Sequence, residues 1–220
     1  MASEVEPESF QNLEYFPAFH DCPYEGTLDS RYIERTSSTT GRNSKHWCLL
    51  GEIIQADTII RPRLVVKDAQ DIEFVVAFYP DDPNDMPRIL KDFKVGNTIA
   101  VFYPFKHYFL DGTTGLRIEK SDEVLIIPLN LEDVMKMNEE VIRYIPVGNV
   151  QRKCHGCDKV KDDLNMCGGC RLFCYCDKDC QSKAWNEKGH KKLCKALKRK
   201  NVRDLLFLDY ETYERPVSFT

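Results

Sequence analysis

Four closely spaced pairs of cysteine and histidine constrain this chain more than any other feature. Cys154-His-Gly-Cys157 and Cys167-Gly-Gly-Cys170 are Cys-x2-Cys turns; Cys176 with Cys180 and His190 with Cys194 are each separated by three residues. A Cys-x2-Cys turn brings two thiolates to one ion, and the glycines of the second turn relieve the backbone where it bends. On a helix, an i,i+4 pair projects from one face. The count is eight ligands, and tetrahedral zinc takes four, so the set closes on two zinc ions. A closed site is structural, whereas catalytic zinc keeps a position for water. Cys174 could replace Cys176 as ligand, but the i,i+4 partnership with Cys180 favours Cys176 and leaves Cys174 a small buried apolar residue. His155, inside the first turn, reads as an exposed turn residue, a further zinc ligand being the alternative.

Disulfides are not expected. The N-terminus, MASEVEPESF, is acidic with no apolar signal segment, which places the chain inside the cell, in nucleus or cytoplasm, where thiols stay reduced. No stretch approaches the roughly 18–20 apolar residues that cross a bilayer, so no membrane role is expected.

The residues between the pairs add a resemblance. Tyr175-Cys176, Cys180-Gln181, Trp185, His190-Lys191-Lys192 and Cys194 follow one another as in the MYND zinc finger, which residues 154–194 resemble. One departure is the nine-residue interval between Cys180 and His190, longer than is usual in that family. The resemblance implies interleaved ligands: Cys154, Cys157, Cys176 and Cys180 for the first zinc, and Cys167, Cys170, His190 and Cys194 for the second. Spacing alone leaves a sequential pairing open. It also implies a protein-interaction module that docks a short proline-containing peptide beside the helix bearing Gln181 and Trp185. An indole offers a proline ring a flat apolar face and a backbone carbonyl an N–H; the competing reading packs Trp185 in the finger's own core.

The rest of the chain differs in character. Residues 1–150 carry 15 basic and 25 acidic side chains, and residues 151–220 carry 16 and 10. An N-terminal arm, 1–45, holds Phe10, Tyr15, Phe16, Phe19 and Tyr24, which are expected to lie against a folded body. Residues 46–128 read as a mainly-β barrel. Apolar, β-branched runs occupy Trp47–Ile60, Arg63–Lys67, Ile72–Tyr79, Thr98–Tyr103, Leu116–Ile118 and Val124–Ile127, with turns at Asp68–Asp71, Val95–Asn97 and Asp111–Gly112. A short helix capped by Asn84 or Asp85 is expected to carry Met86, Ile89, Leu90 and Phe93. Three strands, a helix and further strands is the order of an OB-like barrel. Residues 129–148 read as a linker helix whose apolar residues, Leu131, Val134, Met135, Val141, Ile142 and Ile145, pack on the barrel. Residues 195–220 form a C-terminal helix and an apolar tail returning to the body. The fold class is therefore α+β.

The expected function is a zinc-binding adaptor recruiting a protein partner through a proline-containing motif. The alternative is a nucleic-acid-associated factor using the basic finger helix or the barrel. Two observations disfavour nucleic acid. The barrel is acidic, its aromatics suit a core, and phosphate binding needs Lys and Arg. Around the finger, Lys191, Lys195 and Lys198 alternate with Leu193, Ala196 and Leu197 as on a solvated helix face. No phosphate-binding glycine loop, nucleophile elbow or His-Glu-x-x-His is present, and no enzyme is expected.

Overall fold

The computed structural model describes residues 5–37, 40–57, 62–80, 90–146, 148 and 150–219. The chain forms two compact units, Phe10–Leu131 with Tyr210–Thr220, and Met1–Ser9 with Glu132–Asp209.

Among its described residues the first unit has nine strands: β1 (Ile33–Arg35), β2 (Gly41–Asn43), β3 (Cys48–Asp57), β4 (Arg63–Asp68), β5 (Glu73–Phe78), β6 (Thr98–Phe102), β7 (Lys106–Tyr108), β8 (Thr114–Ile118) and β9 (Val124–Ile127). β1 and β2 make a separate ribbon, and the other seven form one sheet in the order β7-β8-β5-β4-β3-β6-β9. Alternation explains why these segments are strands: Leu64 and Val66 of β4 are wholly buried, while Val65 and Lys67 face the other way. Asp68 ends β4 by accepting the backbone N–H groups of Gln70 and Ile72 on one oxygen. Its other oxygen holds the N–H of Phe19, whose ring stacks on Phe74 at 4.3 Å.

The sheet curls into a barrel. Along it, β7 and β6 stand five strand-steps apart, which laid flat is about 24 Å. Only residues 103–105 join them, a reach of about 14 Å. Tyr103, at a positive φ of 52°, and Pro104 turn this corner. β6 and β7 thus act as one bent strand, pairing with β3 on one side and β8 on the other, while β5 and β8 run parallel. This is an OB-like barrel with β9 added outside β6. Its core holds Ile53, Leu64, Val66, Val76, Ile99 and Leu116 at 1% exposure or less. Most of the expected short helix, including Asn84, Asp85, Met86 and Ile89, lies outside the described residues, as do Thr58–Ile60 of the first expected strand.

Residues on either side complete this unit. Phe10, Tyr15, Phe16 and Phe19 are buried. Tyr210 accepts the His46 N–H through its carbonyl, Tyr15 donates to Glu211, and Phe219 packs 5.5 Å from Phe102.

The second unit contains α1 (Leu131–Tyr144), β10 (Asn165–Met166), β11 (Cys174–Tyr175), α2 (Lys178–Asn186), α3 (His190–Leu197) and α4 (Lys200–Leu206). The division into units falls at other places than the expected domains. From Glu132 onward, α1 belongs to the finger's unit. Its buried side differs from the expected stripe: Val134, Met137, Asn138, Val141 and Tyr144 are buried, whereas Ile142 is 40% exposed. Tyr144 and Asn138 find partners within the finger's unit and turn the helix toward them. The expected single C-terminal segment 195–220 splits, since residues up to Asp209 stay with the finger and only Tyr210–Thr220 joins the barrel. The arm splits similarly: Asn138 donates to the carbonyl of Glu8, which lies in the finger's unit.

Candidate metal centre

Each local element delivers a ligand pair, and the two Cys-x2-Cys turns have the same geometry. Asp158 N–H donates to the Cys154 carbonyl at 2.9 Å, and Arg171 N–H to the Cys167 carbonyl at 3.0 Å. Asp158 and Arg171 both sit at positive φ, 64° and 57°, which a non-glycine residue adopts at a cost. Two glycines inside the turns are required by space. A Cβ at Gly156 would stand 2.4 Å from the Cys180 carbonyl oxygen, and one at Gly169 would stand 2.7 Å from the Cys194 sulfur.

The β10–β11 hairpin pairs Met166 with Cys174 and ends just before Cys176. Asp177 caps α2, its side chain accepting the Cys180 N–H at 2.8 Å, which fixes Cys180 one turn after Cys176. Gly189, in the left-handed region at φ 74°, starts α3 and places His190 and Cys194 on one face.

The donors gather in two groups. Cys154, Cys157, Cys176 and Cys180 form one; Cys167, Cys170, His190 and Cys194 form the other; within each group the ligand atoms lie within 4.8 Å of one another. The pairing is interleaved, first turn with third pair and second turn with fourth. All ten cysteines are free thiols. The sulfurs of Cys157 and Cys176 are 3.6 Å apart, and those of Cys167 and Cys194 are 3.8 Å apart. A tetrahedron with zinc–sulfur bonds of about 2.3 Å has edges of about 3.8 Å. The spacing therefore fits zinc, and the two clusters are zinc sites.

The electrostatics suit the metal. Burial pushes the Cys154 thiol up, but the N–H groups of Cys157, Cys176 and Gly156 outweigh it and bring the thiol down to about 7. His190 is pushed down to about 4, mainly by burial and then by the charge of His155. Its imidazole is therefore neutral at neutral pH and free to donate a lone pair. Nε2 faces Cys167 and Cys170, at 3.4 and 3.8 Å.

Cys174 joins neither group; it is buried on β11, and Arg152 donates to its sulfur at 3.2 Å. Of the two peptide-contact candidates, Gln181 is exposed on α2. Trp185 is half-buried, its ring 5.8 Å from that of His190.

His155 departs from the expectation of an exposed turn residue. It is fully buried, stacks on Phe173 at 4.3 Å, meets Tyr144 edge-on at 4.7 Å, and bonds through Nε2 to Glu140 of α1 at 2.6 Å. It therefore joins α1 to the zinc turns. No sequence rule identifies this role, because Glu140 lies 15 residues away in a different element. A second junction lies beside it: Tyr144 donates to Asp158, and Lys188 reaches both residues.

Comparison with known proteins agrees with this geometry. Residues 154–194 match the family model of the MYND finger. Two relatives share 46 residues, 21% of this chain: histone-lysine N-methyltransferase SMYD1 of Homo sapiens at 46% identity and Smyd1 of Mus musculus at 44%. The shared segment spans 9% of each relative's length. Among solved structures, a chain of the S. pombe Stn1–Ten1 complex resembles this one at 18% identity, covering 51% of this chain and 78% of that one, with a TM-score of 0.33. The barrel assignment rests on the strand pairing described above.

Proposed function

We propose that this protein is a zinc-dependent interaction adaptor whose MYND finger recruits a partner by docking a short proline-containing peptide on α2. The observation that carries this reading is the contrast between the two tryptophans. Trp47 is fully buried in the barrel's unit, whereas Trp185 is half-buried on a helix that a zinc site anchors. Gln181 lies one turn before it and is exposed, so the pair offers an apolar plane and an amide on one helix face. Lost rotamer freedom costs little here, because the Trp185 ring already rests near His190. The proposed role is binding without catalysis, since each zinc has four protein donors.

The test uses the zinc-loaded chain and a panel of synthetic proline-containing peptides. Trp185 emission should shift on binding, while buried Trp47 stays silent. Trp185→Ala should keep two zinc ions and lose the peptides; Gln181→Ala should weaken them by a few-fold. Equal binding by wild type and Trp185→Ala would rule out this docking face.

A further inference from the structure

One hollow in the finger's unit gathers exposed apolar side chains that neither zinc site uses. Among the described residues, nine large apolar side chains stand exposed, and three of them, Ile142, Val150 and Val160, border this hollow of about 530 Å³. Scattered singly, such residues need no explanation; grouped round a concavity and rimmed by charge, they mark a binding surface. The volume lies inside the ~300–1,000 Å³ range of ligand sites.

Local structure puts them there. One wall is the last turn of α1, where Val141 and Tyr144 turn inward and leave Ile142 and Arg143 outward. Pro146 cannot continue the helix. Another wall is the ribbon that carries the first zinc turn. Cys154 N–H donates to the Lys159 carbonyl at 2.8 Å, and Lys161 N–H to the Arg152 carbonyl at 3.3 Å, so Lys153 and Val160 stand opposite one another. Adjacent residues of extended chain point to opposite faces. Cys154 gives its sulfur to the first metal site, so Lys153 and Val160 face the other way, into the hollow.

The border carries an excess of positive charge. Arg143, Lys153 and Lys188 approach the Asp158 carboxylate at 3.7, 3.9 and 3.3 Å. Three cations share one carboxylate, which leaves two positive charges beside the aliphatic side chains. The chain itself shows what fits. Glu6 and Pro7 of the arm line part of the hollow, and Pro7 is buried. Asn138, 1% exposed, holds the arm by donating to the Glu8 carbonyl at 2.8 Å. In this segment, Val5-Glu6-Pro7-Glu8, apolar and acidic residues alternate. A ligand of the same pattern matches both the apolar border and its charge. A nucleic acid fits poorly, because the Tyr144 ring is 4% exposed and offers no plane to a base.

We propose that this hollow docks an acidic segment of a partner protein, with bulky aliphatic side chains seated on Ile142, Val150 and Val160 and carboxylates at Arg143 and Lys153. It is a second docking surface, independent of the proline-peptide face of α2, whose Gln181 and Trp185 do not line it.

The experiment titrates the zinc-loaded full chain against a fluorescein-labelled synthetic peptide in which leucines alternate with glutamates, followed by anisotropy. Two comparison peptides replace the glutamates by glutamine or the leucines by serine. Wild type should bind the acidic leucine peptide saturably, and each comparison peptide at least about fivefold more weakly. Val150→Ser with Val160→Ser should weaken binding at least about tenfold, as loss of the apolar contact requires. Arg143→Gln with Lys153→Gln should weaken it about fivefold at about 10 mM salt and little at about 1 M, where the screening length is about 3 Å. Arg143→Lys with Lys153→Arg should keep it. Every variant should retain two zinc ions, which shows the finger folded. Lys195→Ala with Lys198→Ala on α3 should change nothing. Four results would overturn the proposal: no saturable binding by wild type; equal binding by wild type and the valine pair, with loss in Trp185→Ala placing the peptide on α2 instead; binding only after residues 1–7 are deleted, which assigns the hollow to the chain's own arm; or a concentration-dependent dimer that the valine pair dissolves, which assigns it to a second copy.

Discussion

The barrel and the finger solve the folding problem by different means. The barrel closes a sheet around a dry interior, where Ile53, Leu64, Val66 and Val76 are wholly buried, each contributing about 1.5–3 kcal/mol. The finger has no comparable sheet. Its two strands are two residues each, and the first two turns hold strained residues at Asp158 and Arg171. Its organising contacts are the eight ligands, and structural zinc contributes on the order of 10 kcal/mol per ion. One unit is stabilised in proportion to apolar area, whereas the other depends on a few atoms that must all be present. Damage to the barrel should therefore be graded, and damage to the finger close to all-or-none.

The sharpest break in that comparison is a ligand substitution. His190→Ala or Cys170→Ser should remove one zinc and unfold α3 and the second turn, whereas Cys174→Ser should keep two zinc ions; metal content by mass spectrometry decides. Phe74→Ala comes next. It opens a cavity beneath Phe19 and should cost about 3–5 kcal/mol of barrel stability while both zinc ions remain. If Phe74→Ala released zinc, the two units would not be independent in the way described. Glu140→Gln is the smallest change. It weakens the bond to buried His155 and should cost about 1–3 kcal/mol, read as faster zinc loss to a competing chelator with the barrel unaffected.

Legibility in the sequence followed the range of the interactions. Cysteine spacing is local, so the ligand pairs and the choice of Cys176 over Cys174 could be read directly. Interleaving could not, because a sequential pairing satisfies the same spacing; it came from the family resemblance, and the structure has it. Strand alternation is also local, and most strands lie where the pattern put them. Long-range partners were hidden. The apolar spacing of α1 does not say which surface it covers, and the Glu140–His155 and Tyr144–Asp158 bonds that join it to the zinc turns have no local signal. The aromatics were expected to fill the barrel. Phe74 and Phe78 do, but Phe102 turns its ring away from the core to Tyr210 and Phe219, Tyr108 is 66% exposed, and Tyr79, His107 and Phe109 line a hollow on the outer face.

The central claim is that zinc holds one unit and apolar burial the other. Hydrogen exchange of the full chain, with and without a strong chelator, tests it most directly. The account predicts that amides of α2, α3 and the Cys-x2-Cys turns lose protection on chelation, while those of β3 to β6 keep theirs. Retained protection at Cys154–Cys194, or equal loss in both units, would contradict it.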